Sequence, residues 1–283
     1  MATRVLVTGA AGGIGAATVA ALRERGCSVL GLDLAGDGGD VIACDIRDQA
    51  AVDAAVADAI ARLGGLDVLV NNAGIGIPQS AGAAPGSDAV AVLDVNLLGT
   101  WRVTAAALPA LRTARGRVIN VASGLAFLSV PFAPAYCMSK RAVVAYSDSL
   151  RLEHGDALTV TTVYPGYIRT GIHAASQSSG VPLEGLVPAE QIGDAVRTLV
   201  RAALGSPRRN LATTRRGGVG YAALRVIPGA LVEAGIRARL RRAAGRGGFG
   251  SDGLARDFAL RLTGQTITMS DTTASTITGR TTA

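Results

Sequence analysis

Tyr136 and Lys140 stand four residues apart, so on a helix they lie one turn apart on the same face. Lys140 is the only lysine in the chain; every other member of the 28 Lys and Arg residues is arginine. Arginine stays charged and presents a planar fork, whereas lysine is a compact, mobile point charge with three donors. An unperturbed phenol has a pKa near ~10, too high for a good base at neutral pH. An ammonium one turn away favours the phenolate and lowers that value. Ser123, at the end of a strand-like run, is placed to hold a substrate oxygen against Tyr136. Asn96 lies between Val95 and Leu97 inside an apolar helical stretch. A buried amide there must be hydrogen-bonded or it costs about 1–3 kcal/mol, so it holds a neighbouring segment or a water leading to Lys140. Jointly the four suit proton transfer at an oxygen, as in alcohol oxidation or carbonyl reduction. Singly, each has a plainer reading: a turn serine, a satisfied core amide, a helix-start aromatic, a surface lysine.

The elements that must position these residues begin at the N-terminus. Thr3–Thr8 reads as a short buried strand, followed by Gly9-Ala10-Ala11-Gly12-Gly13-Ile14-Gly15 and an Ala-rich helix ended by Gly26. Glycines in a strand-to-helix turn let the backbone approach a pyrophosphate resting on the helix N-terminus. The next strand, Ser28–Leu32, ends in Asp33, 18 residues after Gly15. An acid there accepts the ribose hydroxyls of an adenosine and repels a 2′-phosphate, so NAD is favoured over NADP. The alternative for Asp33 is a turn residue before Gly36. With a dinucleotide in place, the cationic nicotinamide adds to the effect of Lys140 on the phenol.

The alternation continues. Val41–Cys44 is a strand; Asp48 caps a helix from Gln49 to Leu63, stopped by Gly64-Gly65. Asp67–Val70 is a buried strand leading to Asn71-Asn72-Ala73-Gly74, where the amides brace a turn, contact a cofactor, or both. Ser87 can cap a long helix through about Ala114. Arg117–Ala122 is a fifth strand, the Tyr136 helix runs to about His154, and Thr159–Val163 is a sixth strand. Gly171 to Pro188 lacks periodicity and reads as a flexible lid over the site. A helix follows to about Leu204, then a seventh strand near Arg209–Thr213. This predicts an α/β, Rossmann-type doubly wound parallel sheet of about seven strands with helices on both faces. The expected organisation is a catalytic domain at 1–213, a basic helical extension at 214–265 and a mobile tail at 266–283.

Composition narrows the partners. Hydrophobic residues make up 49% and charged residues 17%, which supports a large core and argues against global disorder. Cys27, Cys44 and Cys137 form no disulfide framework, and with two histidines a metal site is not expected. The N-terminus runs straight into a strand and no apolar run reaches a membrane span, so the expectation is a cytoplasmic protein. From Arg201 to Gly250 there are eleven arginines against one acid, Glu233. A helical piece from about Gly229 to Ala244 sets Leu231, Val232, Ile236 and Leu240 opposite arginines. It serves as a lid or oligomer contact, lies on an anionic membrane surface, or meets an acidic partner or substrate. Nucleic acid is not expected, since few aromatics accompany the charge.

The motifs Thr8-Gly9-x-x-x-Gly13-x-Gly15, Asn71-Asn72-Ala73-Gly74, Asn96, Ser123, Tyr136-x-x-x-Lys140 and Pro165-Gly166 with Ile168 and Thr170 run in one order over residues 3–213. In this the sequence resembles the short-chain dehydrogenase/reductase family. The resemblance implies that Tyr136 is the acid/base and that Lys140 also binds the nicotinamide ribose. It further implies that Asp45 and Ile46 flank the adenine, that Ile168 and Thr170 hold the carboxamide, and that the chain forms a homodimer or homotetramer through the helices of Asn96 and Tyr136. The expected function is NAD(H)-dependent interconversion of a secondary alcohol and a ketone. The substrate is expected to be apolar (steroid-, terpenoid- or polyketide-like), since Leu125–Pro134 and 172–188 offer mostly apolar side chains. A lyase or epimerase with bound NAD and a non-catalytic dinucleotide-binding protein are the alternatives.

Overall fold

The computed structural model describes residues 2–168, 189–250 and 253–264. Its strands are β1 (Arg4–Thr8), β2 (Ser28–Asp33), β3 (Val41–Ala43), β4 (Val68–Asn71), β5 (Arg117–Val121), β6 (Thr159–Tyr164) and β7 (Asn210–Ala212). They form one sheet in the order β3-β2-β1-β4-β5-β6-β7, parallel at every pairing. The helices are α1 (Gly13–Arg23), α2 (Gln49–Leu63), α3 (Ser87–Leu93), α4 (Thr100–Thr113), α5 (Pro134–His154), α6 (Ile192–Leu204), α7 (Arg215–Leu224), α8 (Gly229–Gly245) and α9 (Gly253–Thr263).

The pleat of β1 shows why both faces are covered. Val5 and Val7 point into a core with Val19 and Leu22 of α1 and Leu199 of α6. Leu6 points the other way, among Val52 and Val56 of α2, Val103 and Leu111 of α4 and Leu150 of α5. Burying each such side chain contributes about 1.5–3 kcal/mol, so a strand apolar on both faces is held between two helical layers. β1 neighbours β2 on one side and β4 on the other. The direction of strand addition reverses there, which opens a crevice beyond the carboxyl ends of the strands.

Several boundaries follow the local signals. Asp48 accepts from the N–H groups of Ala50 and Ala51, and Gly64 ends α2 in the left-handed region. Others differ. Ser87 is the first residue of α3 and Gly86 is its N-cap, with no side-chain capping bond. The single helix expected from Ser87 to Ala114 is a helical run interrupted by a π-helical segment at Asp94–Gly99, which contains Asn96. Such a bulge shifts side-chain directions and recurs at functional sites.

The Gly-punctuated stretch after β7, within the extension read as helical, forms α7. Thr214 caps it by accepting from the Gly217 N–H, and Tyr221 is buried with its ring stacked on Phe127 at 5.0 Å. Burial of Tyr221 and its stack on Phe127 offset part of the cost of glycines in a helix, about 1 kcal/mol each. α8 starts where the pattern predicts. Leu240 is buried, Val232 and Ile236 are partly so, and Leu231 is 65% exposed rather than on the inner face. Phe258 of α9 meets Phe132 edge-on at 5.1 Å. Thr170, the expected lid at 171–188 and the tail at 266–283 lie outside the described residues.

Candidate active site

Gly9 leaves β1 with φ 68°, and its N–H donates to the Leu32 carbonyl at 2.8 Å. A Cβ on Gly15 would stand 1.9 Å from the Gly9 carbonyl oxygen, so only glycine lets the helix pack this close to the turn. α1 starts without a side-chain cap. Gly12, Gly13 and Ile14, at its beginning, line the cleft. Uncapped N–H groups and the positive end of the helix dipole make this an anion seat. Asp33 ends β2 and lines the same cleft. Its carboxylate accepts from the N–H groups of Ala11 and Leu34, each at 2.8 Å, so it also braces the glycine loop. Asp45 and Ile46 follow along the wall. Arg47 was not marked by the sequence reading. It lines the cleft and grips Asp45 through Nε at 2.9 Å and Nη2 at 2.6 Å. Those bonds hold the Asp45 carboxyl below its usual range.

The two asparagines after β4 have different roles. Asn71 is 3% exposed and points away from the cleft. Its Nδ2 donates to Thr104 Oγ1 at 2.8 Å and to Asn120 Oδ1 at 2.9 Å. Asn120 in turn donates to Ser147 Oγ at 2.9 Å, tying the sheet to α4 and α5. Asn72, Ala73 and Gly74 line the cleft. Asn72 Nδ2 donates to the carbonyls of Thr8 at 3.1 Å and Gly9 at 3.3 Å, clamping the glycine turn to β4.

Asn96 is fully buried behind the wall. Its Oδ1 accepts from the Ile75 N–H at 2.8 Å, and its Nδ2 donates to the Ile75 carbonyl at 3.0 Å and Ser139 Oγ at 3.1 Å. Of the two roles the sequence left open, holding a segment is the one these bonds fill. A Cβ on Gly74 would lie 3.2 Å from Asn96 Oδ1 and 3.4 Å from Lys140 Nζ, so a small residue there brings both side chains up to the cleft.

Ser123 follows β5 in an extended conformation, and its Oγ accepts from the Leu125 N–H at 3.2 Å. It also hydrogen-bonds the Tyr136 phenol. Pro134 opens α5, which puts Tyr136 in the first turn and Lys140 one turn deeper. Lys140 is 3% exposed, donates to the Val121 carbonyl at 3.0 Å, and has its Nζ 5.7 Å from the centroid of the Tyr136 ring. Burial pulls the ammonium down to about 8. Burial also pushes the phenol up to about 12, with the Ser123 bond acting in the opposite sense. The direction expected from the ammonium alone is therefore reversed among the protein's own groups: desolvation of the phenolate outweighs the nearby cation.

Pro165, Gly166, Tyr167 and Ile168 complete the rim after β6. The Gly166 N–H donates to Glu190 Oε2 at 2.8 Å. Glu190 is buried and also accepts from the hydroxyls of Thr213 and Thr214. It ties the rim to the start of α7. No local pattern marks it, because its partners come from two segments distant in sequence, at Gly166 and at Thr213-Thr214.

Together these residues surround a cleft of about 650 Å³, within the range of small-molecule sites. The cleft gathers Gly9, Gly13, Ile14, Asp33, Asp45, Ile46, Asn72, Ala73, Gly74, Ser123, Tyr136, Lys140, Pro165, Gly166 and Ile168. Gly15 and Asn96 support the wall from behind. An uncapped helix start, an acid at the end of the second strand and an apolar floor fit a nicotinamide dinucleotide.

Comparisons with known proteins agree. The family model described as short chain dehydrogenase matches residues 3–179. Human retinol dehydrogenase 16 is 37% identical over 183 residues, covering 59% of this chain and 57% of the relative, so the match spans little more than half of that protein. A short chain dehydrogenase from Burkholderia cenocepacia J2315, solved in complex with NADP, superposes with TM-score 0.70 at 27% identity, covering 82% of this chain and 96% of that one. A 3-ketoacyl-(acyl-carrier-protein) reductase from Brucella melitensis, solved with NADH, gives 0.65 at 25% identity, covering 74% and 95%. With glycine turn, amide clamp and Ser-Tyr-Lys constellation in one cleft, and the family match over more than half its length, this chain belongs to the short chain dehydrogenase family.

Proposed function

We propose that this protein is an NAD(H)-dependent oxidoreductase that interconverts a secondary alcohol and a ketone. The observation that carries the reading is Ser123, Tyr136 and Lys140 on one wall of the cleft whose other end is the glycine loop. When bound, the dinucleotide supplies or accepts the hydride. Tyr136 gives its phenolic proton to the carbonyl oxygen in reduction and takes it back in oxidation. Ser123 holds that oxygen against the phenol. Lys140, still cationic at neutral pH, stabilises the phenolate left behind. Gly12, Gly13 and Ile14 would seat the diphosphate, Asp33 the adenosine ribose, and Asp45 with Ile46 the adenine. The apolar substrate class rests on Leu125, Leu128, Val130 and Phe249, which cluster beside Tyr136.

The test is a panel of secondary alcohols and ketones with NAD and NADP, run on the parent and on Tyr136→Phe. The variant is expected to lose turnover by about 10²–10⁴-fold while its dinucleotide affinity stays unchanged. Full activity in the variant overturns the role of Tyr136. A preference of about tenfold for NADP overturns the reading of Asp33.

A further inference from the structure

Between Arg215 and Arg246 eight arginines face one acid, Glu233, so this stretch carries the whole formal surplus of +7. The fold sends that charge outward. α8 turns Val232, Ile236 and Leu240 inward at four-residue spacing, and Leu240 packs in the cluster beside Tyr136. Arg237, Arg239, Arg241 and Arg242 all stay exposed. Among the described residues the ion pair formed by this stretch is Arg237 with Glu233 at 4.0 Å, both 71% exposed. Leu231, Ala234 and Ala238 share the outward face with Arg241 and Arg242, by their spacing of three and four.

The corner before α8 adds a second feature. Arg225 to Leu231 are seven consecutive exposed residues, and their bulk is aliphatic. Val226 is 81%, Ile227 41% and Leu231 65% exposed. Val219 on α7 is exposed as well, at 67%.

We propose that the corner between α7 and α8, with the outward face of α8, docks on an anionic lipid bilayer. Val226, Ile227 and Leu231 enter the boundary between headgroups and acyl chains, and the arginines pair with lipid phosphates. The occupant must offer an apolar layer directly under a layer of negative charge. A second copy of this chain would bring the same basic surface against itself. An acidic protein would satisfy the arginines and leave the aliphatic tip in water. None of the described helices is long and apolar enough to cross a membrane, so the contact is peripheral.

The experiment is co-sedimentation of the full chain with vesicles of phosphatidylcholine alone and of phosphatidylcholine mixed with phosphatidylglycerol. The chain is expected to pellet with the mixed vesicles only. Replacing three arginines (Arg239→Gln, Arg241→Gln, Arg242→Gln) is expected to weaken partitioning by about a hundredfold. A second variant, Val226→Ser with Ile227→Ser and Leu231→Ser, alters exposed side chains only and is expected to weaken it by about tenfold. Equal pelleting with both vesicle types, no pelleting with either, or unchanged pelleting of the arginine variant overturns the proposal. So does a drop in solution mass of the serine variant by light scattering without vesicles, which makes the corner a contact between copies.

Discussion

Lys140 and the arginines of α8 carry the same formal charge in opposite settings. The lysine is 3% exposed, bonded to the Val121 carbonyl of β5 and closely approached by Gly74 after β4 and by the Tyr136 ring of α5. The arginines stand in water on a helix held down by few apolar side chains. Around Lys140 the fold supplies the partners: the Val121 carbonyl for the ammonium, and Ile75 and Ser139 for Asn96, so replacing one of these side chains leaves a buried group unpaired. Around α8, water replaces any lost partner, and single changes cost little. The difference teaches where function is concentrated: a buried cation changes the chemistry of its neighbours, whereas an exposed set of cations acts only collectively, on a large partner.

That contrast can be broken from the buried side first. Asn96→Ala strands the Ile75 N–H and carbonyl together with Ser139, and is expected to cost about 3 kcal/mol. Thermal unfolding should show a melting point lower by about 6–12 °C. A shift below about 2 °C would mean that water takes the place of the amide.

The pH profile tests the buried pair next. In the proposed mechanism, reduction needs the Tyr136 proton and the Lys140 charge. The phenol keeps its proton through neutral pH, because burial raises it to about 12. Lys140 has its pKa lowered to about 8, so its charge is present below that pH and is lost above it. Ketone reduction by the parent should be flat through neutral pH and fall by up to about tenfold per unit above about 8. A reduction rate that climbs through that region would show that another group sets the profile.

A smaller effect is expected where the two regions meet. Glu190→Gln keeps the shape and weakens the grip on Gly166, Thr213 and Thr214. The dinucleotide KM should rise by roughly three- to tenfold with kcat little changed, since a hydrogen bond to a charged group is worth about 1.5–3 kcal/mol and glutamine retains part of it. Fluorescence titration with NADH separates this from a general loss of fold. The smallest effect belongs to the exposed helix: Glu233→Gln removes a 4.0 Å pair between two exposed side chains and should change stability by less than about 0.5 kcal/mol in chemical denaturation.

Much of the site could be read from residue order. Gly9, Gly15 and Gly64 mark a turn, a close approach and a helix end through their own backbone freedom. Asp48 marks a helix start through a bond two residues along. The spacing of Tyr136 and Lys140 fixes their shared face as soon as α5 forms. Glu190, Arg47 and Tyr221 were not legible, because each takes its role from groups brought together by the fold: Gly166 and Thr213 for Glu190, the cleft wall for Arg47, Phe127 and Gly124 for Tyr221.

The sequence by itself determined the alternation of strands and helices, the glycine turn and which side chains share a helix face. These depend on interactions within a few residues, which the order of residues states directly. Only the tertiary structure decided that Asn71 braces the sheet while Asn72 meets the cleft, that Asn96 grips Ile75, and that the Tyr136 phenol moves up rather than down. Desolvation and long-range hydrogen bonding are set by the surrounding packing, and residue order alone does not contain how much water a phenol loses.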